Sequence, residues 1–312
     1  MPRRAPTASW GGVNVIAKRL ETRIGIAMVI PALIGLLIFN YWPILQSFVY
    51  TLFDLEYTTD VATAEFTGFQ NYADVMASGE FWRTFLFTVG FTVVVVILDL
   101  TIGMLLALAT FYVPKGMRAP LRAVIIIPWA IPKVIQASMW RWMLDGDVGP
   151  IGDLLVRTGL VEQAPLFLVN PTLAMGSVFL TYTWKGACIA AFFLMGGLAL
   201  IPKDVMESAK VDGAGAARRF FRITLPMLLP TILVALLYRS QDALRVFDVI
   251  YGLTGGGPGS TTETLSSFAY TSYFRYAQFG RGSTYAVVTF ILVAAVGIFY
   301  IGRVRRNFRF RE

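Results

Sequence analysis

Ionisable side chains inside long apolar stretches are the residues of this sequence best placed to do chemistry. At membrane depth such side chains are costly and usually functional, because they bind a polar solute or line its path. The alternative is that they pair with one another between neighbouring helices, which is a structural role. The candidates are Asp99, Lys133, Arg141, Lys185, Arg239, Asp242, Arg245 and Asp248.

Local spacing favours structural roles for some of these side chains. Arg141 lies near the end of its apolar stretch, where a long side chain reaches the membrane surface. Arg245 and Asp248 are three residues apart and are expected to neutralise each other. Asp99 either pairs between helices or has a function, and the sequence leaves both open.

Several catalytic and metal chemistries are excluded by residue counts. The sequence contains no histidine, which removes histidine-based triads and histidine-ligated zinc or haem. Its one cysteine, Cys188, has no partner for a disulfide or a CxxC metal site and is predicted to be a packed thiol. The apolar stretches also lack paired carboxylates. We therefore expect a protein that is not an enzyme.

A glycine-rich segment, GGGPG at Gly255–Gly259, has the composition of a phosphate-binding loop. A Walker motif would end in Gly-Lys-Ser or Gly-Lys-Thr, but here Ser260 follows without a lysine. The segment is predicted to be a tight turn, so any ATP hydrolysis belongs to another protein.

The overall composition is that of an integral membrane protein. Of 312 residues, 56% are hydrophobic and 15% are charged, whereas soluble domains carry about a quarter charged residues. Six stretches reach the roughly 20 residues that a crossing needs. They are 24–50, 84–112, 121–144, 172–200, 227–250 and 283–302. The prediction is one all-α domain, with kinks near Pro31, Pro43, Pro128 and Pro132.

Basic residues fall on alternate connections between these stretches. They concentrate in 1–23, in the second-to-third connection, in 201–226 and in 303–312, whereas 56–80 has none. Because cytoplasmic loops are enriched in lysine and arginine, both termini are expected in the cytoplasm. The net charge of +8 is then explained by these loops rather than by nucleic-acid binding. Residues 6–23 form either a short amphipathic helix on the membrane surface or a disordered tail.

The longest of the predicted cytoplasmic connections has the pattern of a helical knob. Pro202 and Asp204 can begin a short helix, and Gly213 can end it by adopting a positive φ. A second short helix is predicted from Arg218 to Ile223, with Pro226 ending it. Such a projection is typical of a docking element for another protein.

The knob resembles the E-A-A loop of permease subunits of binding-protein-dependent ABC importers. The matching positions are Glu207, Ser208, Ala209, Asp212, Gly213, Ala214, Ile223 and Pro226. Ser208 departs from the family's alanine by a small-for-small change. The stretches IIIPWAIP and LLYRSQDALRVFDVIYGLTGGGPGSTTETL further resemble the carbohydrate branch of that family, and more narrowly the maltose/trehalose type.

The resemblance implies an assembly and a mechanism. The fold would be a six-helix, maltose-permease-like domain in a bacterial cytoplasmic (inner) membrane. Its partners would be a second, non-identical permease, two ATPase subunits that bind ATP and Mg²⁺, an extracytoplasmic sugar-binding protein and lipid. No cofactor would bind this chain. Closure of the ATPase subunits would move the coupling helix as a rigid body. Glu207 would pair with a basic group, whereas Arg218, Arg219 and Arg222 would contact either the ATPase or lipid headgroups.

The same resemblance places a solute path on three helices. The implied residues are Trp129, Lys133, Lys185, Gly186, Ile189, Arg239, Asp242, Ala243 and Val246. The alternative for the charged members is ion pairing of Lys185 or Arg239 with Asp242, which would leave Lys133 alone near the cavity. Three bases against one acid raise the possibility of a sulfonated, phosphorylated or uronic sugar, against a neutral disaccharide or oligosaccharide. A permease for another solute, and a membrane enzyme or scaffold, are the rival classes.

Overall fold

The computed structural model describes residues 11–57 and 63–309, with side chains for 22–57 and 63–303. The chain is almost entirely helical. Its helices are α1 (Gly11–Leu36), α2 (Trp42–Tyr50), α3 (Gln70–Ala77), α4 (Gly79–Tyr112), α5 (Lys115–Ala130), α6 (Lys133–Met143), α7 (Pro150–Arg157), α8 (Pro171–Ala199), α9 (Lys203–Val211), α10 (Ala216–Arg219), α11 (Leu225–Leu244), α12 (Asp248–Leu253), α13 (Leu265–Tyr270) and α14 (Phe279–Arg309). Single π-helical turns occupy Leu37–Tyr41, Phe220–Thr224 and Thr271–Arg275.

The apolar stretches form the membrane-length helices. Within the described residues, five helical segments are long and apolar enough to cross a membrane, and a bent pair makes a sixth if it counts as one span. The five are Thr22–Tyr50, Gly79–Tyr112, Pro171–Ala199, Ala216–Leu244 and Phe279–Arg303. The predicted six membrane spans are therefore found when the bent pair is counted as one span.

The first span begins earlier than predicted. Helix α1 starts at Gly11, so much of the expected tail 1–23 is helical and continuous with the span, while residues 1–10 lie outside the described part of the chain. The π-helical turn Leu37–Tyr41 lies just before Pro43, where a proline without an N–H has to be accommodated. None of the span's apolar window is buried within the chain.

The third predicted span, 121–144, is wrong as a continuous helix. Helices α5 and α6 meet at an angle of 94°. Ile131 is extended, with φ −72° and ψ 127°, because the residue before a proline disfavours helical geometry. Pro132 also has no N–H with which to continue the helix. Pro128, the other expected kink position here, lies inside α5.

The fifth predicted span, 227–250, is shifted toward the N-terminus. The helix runs from Ala216 through the π-helical turn into α11 and ends at Leu244. Pro226 therefore does not end a second short helix as predicted, since it occupies the first turn of α11.

The predicted pair of Arg245 with Asp248 is also wrong: Arg245 Nε donates to the Gln241 carbonyl oxygen at 3.1 Å, and Asp248 begins α12.

The centre of the fold is the contact between α4 and α8. A Cβ on Gly103 would lie 2.7 Å from the Ala190 Cβ, so the glycine is what allows these helices to approach. Cys188, on the same helix as Ala190, is buried as predicted. The core nearby is apolar and aromatic, and includes Phe91, Val95 and Tyr182.

Two short strands and a turn lie between the helices. Strands β1 (Phe53–Asp54) and β2 (Glu65–Phe66) are antiparallel. The GGGPG segment is a turn, as predicted, with positive φ at Gly255, Gly256 and Gly259. Thr254 and Thr262 close it through a hydroxyl–hydroxyl hydrogen bond of 2.7 Å.

Candidate functional site: a projecting helix and an intramembrane ion network

Helix α9 has the ends that its sequence predicts. Asp204 lies in its first turn and Lys210 in its last, so each charge lies at the helix end that carries the opposite partial charge. Gly213 follows the helix with φ +73°, a conformation that a residue with a Cβ rarely adopts. The Ala214 N–H donates to the Ala209 carbonyl at 3.0 Å and closes the turn.

One arginine after this turn has a structural role. The Arg219 guanidinium donates from Nη1 to the Ala214 carbonyl at 2.5 Å, which fixes the turn to the start of the fifth span. Arg218 and Arg222 are exposed. Of the three arginines, these two remain for contact with a protein or a headgroup.

The outer face of α9 is polar and open. An open hollow of about 390 Å³ is lined by Asp204, Glu207, Ser208, Val211 and Asp212. Ala209 points the other way and is 8% exposed. Ile223 and Pro226 lie in the following helix rather than on the knob. The helix therefore projects with its acidic side outward, attached by a short and tightly bonded turn.

A second polar site lies inside the helical bundle. Arg239 donates to Asp99 Oδ2 from Nε at 2.8 Å and from Nη2 at 2.6 Å. Its Nη1 donates to Asp242 Oδ2 at 2.8 Å, and Lys133 Nζ donates to Asp242 Oδ1 at 2.8 Å. The Tyr182 hydroxyl donates to Asp242 Oδ2 at 2.8 Å. We call these five side chains the ion network.

Four separate helices bring the ion network together. Asp99 lies on α4, Lys133 is the first residue of α6, Tyr182 lies on α8, and Arg239 and Asp242 are one turn apart on α11. Asp99 and Arg239 are 0% and 1% exposed. Charges buried to that depth are tolerated only when they are paired and hydrogen-bonded.

Ion pairing between helices, the alternative weighed from the sequence, is therefore present. The assignment of partners was wrong in one respect. Lys133 and Arg239 bracket Asp242, whereas Lys185 makes no ion pair among the described residues and donates to the Ile131 carbonyl. That carbonyl is available because the chain leaves helical geometry at the α5–α6 bend.

Gly186 supports the ion network by lacking a side chain. A Cβ at this position would collide with the Arg239 guanidinium and both oxygens of the Asp99 carboxylate. Ala243 and Val246 are 0% and 2% exposed and belong to the apolar core, so they do not face open space.

Two hollows share Ile189, and only the smaller of them is lined by the ion network. A small one of about 10 Å³, roughly one water in size, is lined by Lys133, Gln136, Tyr182, Lys185, Gly186, Ile189, Arg239, Asp242 and Val249. A larger apolar one of about 210 Å³ includes Trp129, Cys188 and Ile189 among its lining residues. Trp129 is 52% exposed, whereas Trp184 packs against Trp140 with 5.8 Å between their ring centroids.

Sequence reasoning missed Tyr182 and Gln136. Tyr182 lies one turn before Gly186 on α8, and that spacing was the available signal. Gln136 is 1% exposed and its Nε2 donates to the Thr181 carbonyl. Neither residue carries a charge, so neither was among the charged candidates in the apolar stretches.

Residues 99–311 match the family of binding-protein-dependent transport system inner membrane components, and the chain belongs to that family. It is thus a multi-pass inner-membrane permease subunit of an ABC importer. Members of this family are not themselves ATPases and bind no cofactor, since ATP hydrolysis takes place on partner subunits.

Named relatives cover nearly the whole chain. The chain is 37% identical over 293 residues to the trehalose/maltose transport system permease protein MalF of Thermococcus litoralis, covering 93% of this chain and 97% of the relative. It is 36% identical to the sulfoquinovosyl glycerol transport system permease protein SmoG of Agrobacterium fabrum, with 90% of each chain covered.

A solved structure supports the fold. A chain of the bacterial alginate ABC transporter, in complex with an alginate pentasaccharide-bound periplasmic protein, matches with a TM-score of 0.81 at 24% identity. The match covers 93% of this chain and 96% of that one. The predicted family and permease fold are confirmed.

Proposed function

We propose that this chain is one of two non-identical permease subunits of an importer for a sugar. The sugar is delivered by an extracytoplasmic binding protein, and two ATPase subunits, which bind ATP and Mg²⁺, drive transport. Support comes from the substrates named for two relatives, trehalose or maltose and sulfoquinovosyl glycerol, since both kinds are glycosides. Nucleic acid has no part in this function.

The observation that carries this proposal is the exposed acidic face of α9. Its open hollow is lined by exposed side chains, three of which belong to the importer motif: Glu207, Ser208 and Asp212. We assign coupling to Glu207, Ser208, Ala209, Asp212, Gly213, Ala214, Ile223 and Pro226. In this assignment Glu207 pairs with a basic group of the ATPase, and Gly213 permits the turn that seats the helix.

The turn after α9 explains how a movement of α9 would reach the bundle. The Ala214 N–H donates back to α9, and the Ala214 carbonyl accepts from Arg219 in the helix that runs from Ala216 to Leu244. That same helix carries Arg239 and Asp242, which hold α4 and α6. A displacement of α9 by the ATPase is therefore applied to the element that anchors the ion network.

The solute path is assigned to the partly open edge of the ion network. Trp129, Lys133, Lys185 and Ile189 line the two hollows there. Asp242 shares this edge but is bonded to Lys133. The remaining residues implied by the family resemblance serve the path indirectly: Gly186 and Arg239 hold the network, and Ala243 and Val246 fill the core.

Both termini are assigned to the cytoplasm. The support is the distribution of lysine and arginine, which places 1–23, 201–226 and 303–312 on one side. Lipid is the remaining partner, because the first span leaves large apolar side chains such as Leu37 and Phe39 uncovered.

Reconstitution tests the function directly. The assembled importer, with its second permease, ATPase subunits and binding protein, is expected to accumulate sugar in proteoliposomes only when ATP and the binding protein are both present. Accumulation of an amino acid but of no sugar would contradict the proposal.

For topology, a tag at either end should be inaccessible from outside intact cells, and external labelling would overturn the assignment.

A further inference from the structure

Direct ion pairs leave one of the basic side chains around the ion network without a charged partner. Three basic side chains, Lys133, Lys185 and Arg239, meet two carboxylates, Asp99 and Asp242. Lys133 and Arg239 are matched by the carboxylates through direct ion pairs. Lys185 is left with the Ile131 carbonyl, a neutral acceptor, and within residues 22–57 and 63–303 it forms no ion pair.

The unmatched charge also lies at the open side of the network. Asp99 is fully buried, so it presents no negative charge to a solute, and the Asp242 side chain is 20% exposed. Lys133 is 35% exposed and Lys185 is partly buried, and both line the small hollow. The two lysines therefore lie at the accessible edge of the network.

We propose that Lys185 is a specificity-determining residue of the solute path and that it binds the anionic group of an acidic sugar. This rests on the proposed function in sugar import. An ammonium group has three hydrogen-bond donors, and the Ile131 carbonyl takes one of them. The other two can bind a sulfonate, phosphate or carboxylate oxygen through charge-assisted bonds, which are stronger than those to a neutral hydroxyl. The bound anion would be the direct charged partner that Lys185 lacks among the described residues.

The test uses sugars that differ in one group. Methyl glucoside, its C6 sulfonate and the corresponding C6 carboxylate (methyl glucuronide) are compared for uptake by the assembled importer with its binding protein. Wild type is expected to take up an acidic member at least about tenfold faster than the neutral parent, as a hydrogen bond to a charged group allows. Lys185→Gln keeps a donor for the Ile131 carbonyl but removes the charge. It should lower uptake of the acidic sugar by about tenfold or more and lower uptake of the neutral sugar by a much smaller factor.

Lys115→Gln is the matched control, because Lys115 is exposed at the start of α5 and far along the chain from the network. It should transport every sugar as wild type does. Uptake restricted to the neutral sugar, or acidic-sugar uptake by Lys185→Gln at the wild-type rate, would overturn the inference while leaving sugar import intact. Absence of uptake of any sugar would overturn both. If Lys185→Gln fails to accumulate in the membrane, competition between acidic and neutral sugars in wild type decides the question.

Discussion

Helix α9 and the ion network carry charge in opposite ways. Glu207 and Asp204 on α9 are exposed, where water solvates their charge at little cost. Asp99 and Arg239 are buried almost completely, and their direct bonds offset the cost of removing both groups from water. The first arrangement leaves side chains available for another protein. The second uses up its charges to hold four helices together.

This difference predicts separate consequences for mutation. Changes in the ion network should act on folding and membrane accumulation, since removal of one partner leaves an unmatched buried charge. Changes on the outer face of α9 should leave the fold intact and act on coupling. Each prediction below tests one side of that contrast.

The largest effect is expected from Asp99→Asn. Arg239 would keep Asp242 but lose its fully buried charged partner, because an asparagine oxygen can accept a hydrogen bond but carries no charge. Loss of one partner of a buried ion pair costs about 3–5 kcal/mol, so the thermal unfolding midpoint of the purified protein should fall sharply. Asp153→Asn is the control, because the Asp153–Arg157 pair is 56% and 76% exposed and such pairs contribute about 0–1 kcal/mol. Equal midpoints for the two variants would contradict a structural role for the network.

Gly186→Ala should have the next largest effect. The added methyl group would collide with the Arg239 guanidinium and the Asp99 carboxylate, and overpacking of this kind costs about 1–3 kcal/mol. Gly176→Ala, on the same helix with no atom within 4 Å of its Cβ position, should be neutral or slightly stabilising. The unfolding midpoints of the two alanine variants are the measurement. A Gly186→Ala protein as stable as Gly176→Ala would show that the packing described is incorrect.

Tyr182→Phe should have a smaller effect. It removes the hydroxyl that donates to Asp242, while Lys133 and Arg239 continue to bond that carboxylate. A hydrogen bond to a charged group contributes about 1.5–3 kcal/mol, and we expect the lower part of that range because two partners remain. Tyr112→Phe, at a side chain that is 77% exposed, is the matched control. An unchanged midpoint for Tyr182→Phe would remove Tyr182 from the network.

The two regions also differ in how far the sequence predicts them. The helix start at Pro202 and Asp204 and the turn at Gly213 are encoded within about a dozen residues, so spacing alone located them. The break at Pro132 was expected as a kink, but its 94° angle depends on what packs around it. The pairing of Asp242 with Lys133 joins residues 109 positions apart. Nothing local distinguishes Lys133 from Lys185 as the partner, and so the sequence favoured the wrong one.

Proline positions show the same limit. Pro226 was expected to end a helix, because a proline normally interrupts the preceding turn. Instead the Leu225 N–H bonds to the Phe220 carbonyl in a π-helical turn, and the helix continues through it. A wider turn ahead of a proline can accommodate its ring and missing N–H, and the position of the proline in the sequence does not show whether such a turn precedes it.

Glu207→Arg tests the central claim most directly, because α9 should transmit the ATPase cycle without stabilising the fold. Binding-protein-stimulated ATP hydrolysis and sugar uptake are measured in the assembled importer, together with the amount and unfolding midpoint of the permease. Glu162→Arg, at an exposed acid in the connection between α7 and α8, serves as the control. The account predicts that Glu207→Arg keeps the wild-type amount and midpoint but loses stimulated hydrolysis and uptake, while Glu162→Arg keeps all four. Normal stimulated hydrolysis and uptake in Glu207→Arg would contradict it.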